Sequence, residues 1–310
     1  MNYQEWASTW LENYIKPTAK LKTYHRYCEI VYTQLRENIG EYELDNLSPI
    51  LLQGLVCHLL STGNKKTGKG LSPNTVNATI TVIQSSLRVA YNLGLTQNNI
   101  IGKIRRPKSN EKKITCFTKE EQRKIEEAVK SSKKLKMHGI LLSLYTGLRI
   151  GELLALEWTD IDFQNELIFV TKTCFDGKDT NGHFGRITNS PKTETSQRTI
   201  PIPKQLLSVL KWMKQHAQNK YVISESPKPL AVRSYQRSFK RLLQKLEIAH
   251  RGFHSLRHTF ATRALEVGVD VKTLSEILGH KNPNVTLKRY AHSMTDHKRE
   301  MMNKIGNLLQ

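Results

Sequence analysis

The chain has 310 residues, with 48 Lys and Arg against 27 Asp and Glu, a formal charge of +21 at pH 7. That length suggests two domains of ordinary size, and so large a positive excess repels itself unless a polyanion absorbs it, which points to nucleic acid ahead of an anionic membrane surface. No apolar run approaches the roughly 20 residues of a membrane span, there is no GxxxxGK(S/T) phosphate loop, and Cys28, Cys57, Cys116 and Cys174 have neither zinc nor disulfide spacing. The expectation is a cytoplasmic, polyanion-binding protein without membrane contact, metal or other cofactor.

The N-terminal stretch MNYQEWASTWLENY reads as an amphipathic helix with acidic residues, not as a signal peptide. Apolar residues keep helical spacing through Trp6, Trp10, Leu11 and Tyr14, and again through Tyr27, Ile30, Val31 and Leu35. Ser48-Pro49 and Ser72-Pro73 each open a further helix, because Ser accepts from the orphan first-turn amides and Pro fits the first helical position. The helix over 73–93 is the candidate groove reader, and the Lys- and Gly-rich TGNKKTGKG before it is a solvent-facing loop. Residues 1–101 thus form a helical domain. Residues 102–116, GKIRRPKSNEKKITC, read as a basic interdomain linker whose Lys103, Arg105, Arg106 and Lys108 contact DNA phosphates.

The second domain, 117–310, opens at Thr118, whose capping partner Glu121 stands three residues on. Helices are expected over 119–130 and 136–146. A β section follows, with NELIFVTKT, a Gly-rich loop FDGKDTNGHFG, RITNS, a turn at PKTETS and QRTIPIP. From 204 the chain is helical again, broken near Pro227-Pro229 and at Gly252. The fold class is mainly α (α+β), with one small antiparallel sheet.

The second domain collects Arg149 in TGLRIGELLALEW, Lys192 in SPKTETSQRTIPI, His254 and Arg257 in HSLRHTFAT, His280 in LGHKNPN and Tyr290 in VTLKRYAH. His254 and Arg257 are three apart and share a helix face. Gly279 ends an apolar helix and Asn282-Pro283 begins another. A phosphodiester attacked by an oxygen nucleophile gathers charge on its non-bridging oxygens, which arginine's planar fork matches bidentately without losing its proton. A tyrosine hydroxyl needs a base such as histidine, and a departing 5′ oxygen needs a proton that lysine can give. Taken singly, Arg149 reads as a helix-end arginine, His280 as a C-terminal cap and Tyr290 as a core residue. Together and in order, they read as one site. Lys172, Lys178 and Lys204 compete with Lys192 for the hairpin position.

These segments resemble the tyrosine recombinase (phage integrase) family, and the likeness extends over nearly the whole chain, with the N-terminal helices similar to that family's core-type DNA-binding domain. The resemblance implies a site-specific recombinase that cuts and rejoins DNA through a 3′-phosphotyrosyl intermediate, without ATP, in the integration or excision of a mobile element. It implies Tyr290 as nucleophile, Arg149 and Arg257 as the phosphate clamp, Lys192 as general acid, His254 in acid–base catalysis, His280 bonded to the phosphate, and Glu152 as a buttress that does not react. Ser255 stands where the family commonly has Asp, with a consequence expected for local capping. The lengthened hairpin is similar to that of integrases of Gram-positive phages and conjugative transposons. Many of them carry a separate arm-binding domain, for which the stretch before the helical domain leaves no room, so the expectation is either a simpler recombinase or a piece of a longer one.

The partners implied are double-stranded DNA carrying specific core or attachment sites, a homotetramer in the synapse, and an accessory directionality or DNA-bending protein. Met294, Met301, Ile305 and Leu308 recur at helical spacing, so the C-terminal segment packs either on its own domain or on a neighbouring protomer. Two other readings are a catalytically silent DNA-binding regulator and a type IB topoisomerase. A binder has no use for Tyr290 beside two arginines, and the short chain disfavours the topoisomerase.

Overall fold

The computed structural model describes residues 1–100, 102–109, 115–178, 183–189, 197–280, 282–290, 299, 302–303 and 305–307; for Lys178, Asn189 and 288–290 it describes the backbone alone. The chain separates into two compact units, the first centred on Met1–Lys112 and the second on Lys113–Lys178 and Gly182–Gln310.

In the first unit, α1 (Tyr3–Trp10) is opened by Asn2 and Glu5, each side chain accepting the other's backbone N–H. Its buried face, Tyr3, Trp6, Ala7 and Trp10, follows the helical period. The chain continues through α2 (Leu21–Ile30), α3 (Arg36–Ile39), α4 (Pro49–Ser61) and α5 (Pro73–Asn92). Ser48 and Ser72 cap α4 and α5 by accepting from the N–H of Leu51 and Thr75. Tyr3 and Trp6 fasten α1 to α5: the Tyr3 hydroxyl lies 3.1 Å from Ser86 Oγ, and Trp6 Nε1 donates to the Ser86 carbonyl at 3.1 Å.

The basic stretch that follows residue 101 keeps to the first unit as far as Lys108. Ile100 and Ile104 are buried in the core of the first unit. The Arg105 amide donates to Gln53, and the Pro107 carbonyl accepts from Asn77. Burial of Ile104, with Ile100 just before it, and these two hydrogen bonds hold Gly102–Lys108 along the first unit. Among the described residues no helix is long and apolar enough to cross a membrane.

The second unit begins with α6 (Lys119–Lys130), capped reciprocally by Thr118 and Glu121. Next comes α7 (Leu135–Thr146), buried along most of its length and central to the core. α7 stops at Gly147, whose φ of 67° is the left-handed conformation that favours glycine. After α8 (Ile150–Ala155), strands β1 (Ile161–Asp162), β2 (Leu167–Val170) and β5 (Arg198–Pro201) make an antiparallel sheet in the order β1-β2-β5, with Ile168 opposite Ile200. Between them in sequence, β3 (Thr173–Lys178) and β4 (Phe184–Asn189) pair, among the described residues, only with each other. The strands therefore divide between two small antiparallel sheets where one was expected. β3 lies against α8.

Next among the described residues come α9 (Lys204–Gln215), α10 (Val232–Lys245), α11 (His254–Glu266), α12 (Val271–Leu278) and α13 (Pro283–Tyr290). Of the apolar C-terminal residues, Met294, Met301 and Leu308 lie outside the described residues, while Ile305 is helical and exposed.

Candidate active site

Three helix ends converge in the second unit. Gly147 ends α7 and Gly279 ends α12, both left-handed, while α8 begins just after Arg149. Helix C-termini present carbonyls with no intrahelical donor and a partial negative charge. Here arginines supply the missing donors. Three consecutive carbonyls at the end of α12 each accept from a different guanidinium: Ile277 from Arg198 Nε at 2.5 Å, Leu278 from Arg257 at 2.7 Å, and Gly279 from Arg149 at 3.0 Å. Arg257 also donates to the Gly147 carbonyl at 2.8 Å. The two glycines are needed for the turn and for room: a Cβ on Gly147 would sit 2.7 Å from Phe260, and one on Gly279 would sit 3.0 Å from Arg198.

Glu152 stands between two of these cations. It is 6% exposed, and Arg149 donates to it from the backbone at 2.9 Å and from the guanidinium at 2.7 Å. Arg198 spans both carboxylate oxygens, at 2.9 and 3.2 Å. Burial opposes ionisation of this carboxyl, but the Arg198 hydrogen bond and charge, with Arg149 beyond, override it and hold the pKa at about 2. Neighbouring Gly151 lets α8 approach β3, since a Cβ there would meet the Cys174 carbonyl at 2.6 Å.

Arg257 is 1% exposed and reaches His280, its guanidinium 2.9 Å from Nε2. The other ring nitrogen, Nδ1, lies 2.8 Å from Thr286 Oγ1 on α13. The Arg149 side chain is one-third exposed, at 34%, so its guanidinium borders both the buried network and solvent. The arrangement is a fixed, largely desolvated cluster of cations with one open edge, suited to gathering negative charge on a phosphate.

A family model described as the phage integrase family matches residues 110–297, and one described as the phage integrase N-terminal SAM-like domain matches residues 2–60. The chain belongs to the phage integrase family. It is a tyrosine recombinase, an enzyme that cuts and rejoins DNA strands at specific sites. A "Tyrosine recombinase XerC-like" protein of Caldanaerobacter subterraneus subsp. tengcongensis is 30% identical over 327 residues, covering 97% of this chain and 81% of its own length. The ICEBs1 integrase of Bacillus subtilis is 27% identical, covering 81% of this chain and 68% of its own. In fold, the chain is similar to the Tn1549 transposon integrase in complex with transposon right end DNA, with a TM-score of 0.81 at 21% identity over 99% of this chain and 100% of that one.

Of the residues singled out in the sequence of this integrase, the structure brings together Arg149, Glu152, Arg257 and His280. His254 opens α11 three residues before Arg257, at the exposed surface, its ring edge-on to that of His258 with centroids 4.5 Å apart. Tyr290 ends α13; its backbone is described and its side chain lies outside the described residues, as does the whole of Lys192. The competing Lys172 is engaged elsewhere, bonded to Glu157 at 2.9 Å and to Asp160 at 3.1 Å. Burial draws its pKa down, but these two carboxylates outweigh burial and raise it, which suits a tether better than an acid. Ser255 donates to the Gly252 carbonyl at 2.7 Å, closing the first turn of α11 as a cap. Lys103, Arg105, Arg106 and Lys108 are exposed on the first unit, where the Arg106 guanidinium donates to Asn77, Thr81 and Gln84 of α5. Among the described residues, no group of three His, Cys, Asp or Glu could hold a metal ion.

Two site residues escaped the sequence reading. Arg198 is 6% exposed, and the one available signal was chemical: an acid fated for burial beside a single arginine leaves a carboxylate oxygen needing a second cation. Thr286 carried no distinguishing signal in VTLKRYAH. Next to His254, Arg233, Arg237, Lys240, His250 and Arg251 line an open cavity of about 430 Å3 floored by Phe239 and Phe253. Arg233, Arg237 and Lys240 thus place positive charge along α10.

Proposed function

We propose that this integrase cleaves one DNA strand per protomer through Tyr290, in the integration or excision of a mobile element. The hydroxyl of Tyr290 attacks the scissile phosphorus, forming a 3′-phosphotyrosyl bond and expelling the 5′ oxygen, which takes a proton from Lys192. The freed 5′-hydroxyl of the partner strand then attacks the phosphotyrosyl bond and releases the tyrosine. The bond energy is conserved in the link, so no nucleotide is consumed. Arg149 and Arg257 clamp the non-bridging oxygens, His254 assists proton transfer, and His280 bonds to the phosphate. Glu152 holds Arg149 without entering the reaction.

The observation that carries this reading is the convergence of Arg149 and Arg257 on the last carbonyls of α12, with the His280 ring against Arg257 and α13 starting four residues beyond Gly279 and ending on Tyr290. The cations of α10 and the exposed Lys103, Arg105 and Lys108 suit duplex phosphates, contacts that position the enzyme without reading sequence. The first unit serves as the core-type DNA-binding domain, and α5 is its groove reader. Four strand cuts per recombination call for a tetramer on two sites, and a lambda integrase tetramer bound to a Holliday junction shares this fold, with a TM-score of 0.69. The working compartment is the cytoplasm, where an accessory directionality or bending protein assists.

The test is Tyr290→Phe on duplexes tiled from the DNA flanking the protein's own gene. The variant keeps wild-type retardation in a gel shift and cuts no strand. A phenylalanine variant that still cuts removes Tyr290 as nucleophile.

A further inference from the structure

The His280 ring is held at both nitrogens. Nε2 lies 2.9 Å from an Arg257 nitrogen, and Nδ1 lies 2.8 Å from the Thr286 hydroxyl. Arginine only donates, so Nε2 carries no proton in this state; the neutral ring keeps its proton on Nδ1, and Thr286 accepts it. Thr286 is 1% exposed and belongs to α13, one helical turn before Tyr290 ends the same helix. The bond joins the helix of the nucleophile to the ring beside Arg257, and through Arg257 to the carbonyls of Leu278 and Gly147.

We propose that Thr286 is a positioning residue for strand cleavage, its hydroxyl holding His280 in either tautomer while it fixes α13 against the arginine pair. The proposal rests on the roles given above to Tyr290 and His280. A phosphate oxygen that takes the Arg257 N–H now spent on Nε2 would face the lone pair of that nitrogen. Bonding to the phosphate requires an N–H there instead. As DNA enters, Nε2 takes a proton from water and Nδ1 returns one to water, leaving the ring neutral and the balance of protons unchanged. Nδ1 is then an acceptor. A hydroxyl meets both demands from one position, accepting from Nδ1–H before the exchange and donating to bare Nδ1 after it. A carbonyl could serve only the first state and an amide N–H only the second. Valine, of the same shape, serves neither.

The test compares Thr286→Val and Thr286→Ser in single-turnover adduct formation on a nicked duplex that wild type cuts, with Tyr290→Phe alongside and DNA affinity measured separately by gel shift. Leaving a half-buried ring nitrogen without its partner slows adduct formation by roughly tenfold or more in Thr286→Val, with affinity within about threefold of wild type. Thr286→Ser keeps the hydroxyl and stays within about threefold of the wild-type rate. Thr286→Val cutting at the wild-type rate overturns the proposal, and so does Thr286→Ser as slow as valine, since that assigns the effect to methyl packing. An adduct that survives Tyr290→Phe is recognisably different: it overturns the nucleophile assignment, and the positioning role falls with it.

Discussion

Replacing Glu152 with Gln keeps the shape of the side chain and removes its charge, so it imitates the protonated carboxyl at every pH. An ordinary glutamate pKa of 4.5 held at about 2 in the folded state corresponds to about 3 kcal/mol, at roughly 1.4 kcal/mol per tenfold change in proton affinity. The carboxyl is 6% exposed, so solvent screening takes little from that figure. Folding lowers this pKa. The stabilisation is therefore complete above pH 4.5 and is lost as the pH falls through 2. Urea unfolding of wild type and Glu152→Gln in parallel should show a deficit of about 3 kcal/mol at pH 7 that shrinks to about 1 kcal/mol at pH 3. Trp158 and Trp212 report on the second unit, while Trp6 and Trp10 report on the first, whose transition should not move. A deficit below about 1 kcal/mol at pH 7, or one that stays flat between pH 7 and pH 3, would refute the claim that two arginines hold a charged Glu152 at the base of the site.

Arg198→Lys should lower the stability of the second unit by about 1–3 kcal/mol in the same urea experiment, because an ammonium cannot span both oxygens of Glu152 and also reach the Ile277 carbonyl. It should also slow cleavage without weakening the gel shift, as Arg149 loses the partner that fixes Glu152. Lys192→Ala should slow cleavage of an ordinary phosphodiester and recover on a 5′-bridging phosphorothioate, whose leaving group needs no proton. Failure of that rescue removes Lys192 from the acid role.

Much of the fold was legible because helix starts are local events. Ser48, Ser72 and Thr118 announced three helices by pairing a side-chain oxygen with amides two or three residues on, and each cap formed as expected. Arg149, Arg257 and His280 were legible as a set because their chemistry is shared and their order is fixed. Their common support was not: the carbonyls of Ile277, Leu278 and Gly279 are backbone atoms that any sequence possesses, and only the left-handed turn at Gly279 exposes them together. Arg198 was hidden for a related reason, since a strand arginine reads as solvated until tertiary contact brings Glu152 to it. That Gly102–Lys108 lies along the first unit was not legible, because its basic majority masks Ile104 and the preceding Ile100, both buried there. The hairpin was read into one sheet because alternation along a strand names its faces and not its partner.

The central claim is that Tyr290 becomes covalently joined to DNA, and the most direct measurement identifies the joined residue. Nicked duplexes that trap the cleaved state can be incubated with the full chain, the adduct isolated under denaturing conditions, both components digested, and the nucleotide-bearing peptide read by mass spectrometry. The account predicts a single modified peptide with the nucleotide on Tyr290, attached through a 3′ phosphate. A nucleotide on any other residue, or strands cut with no protein attached, would contradict it.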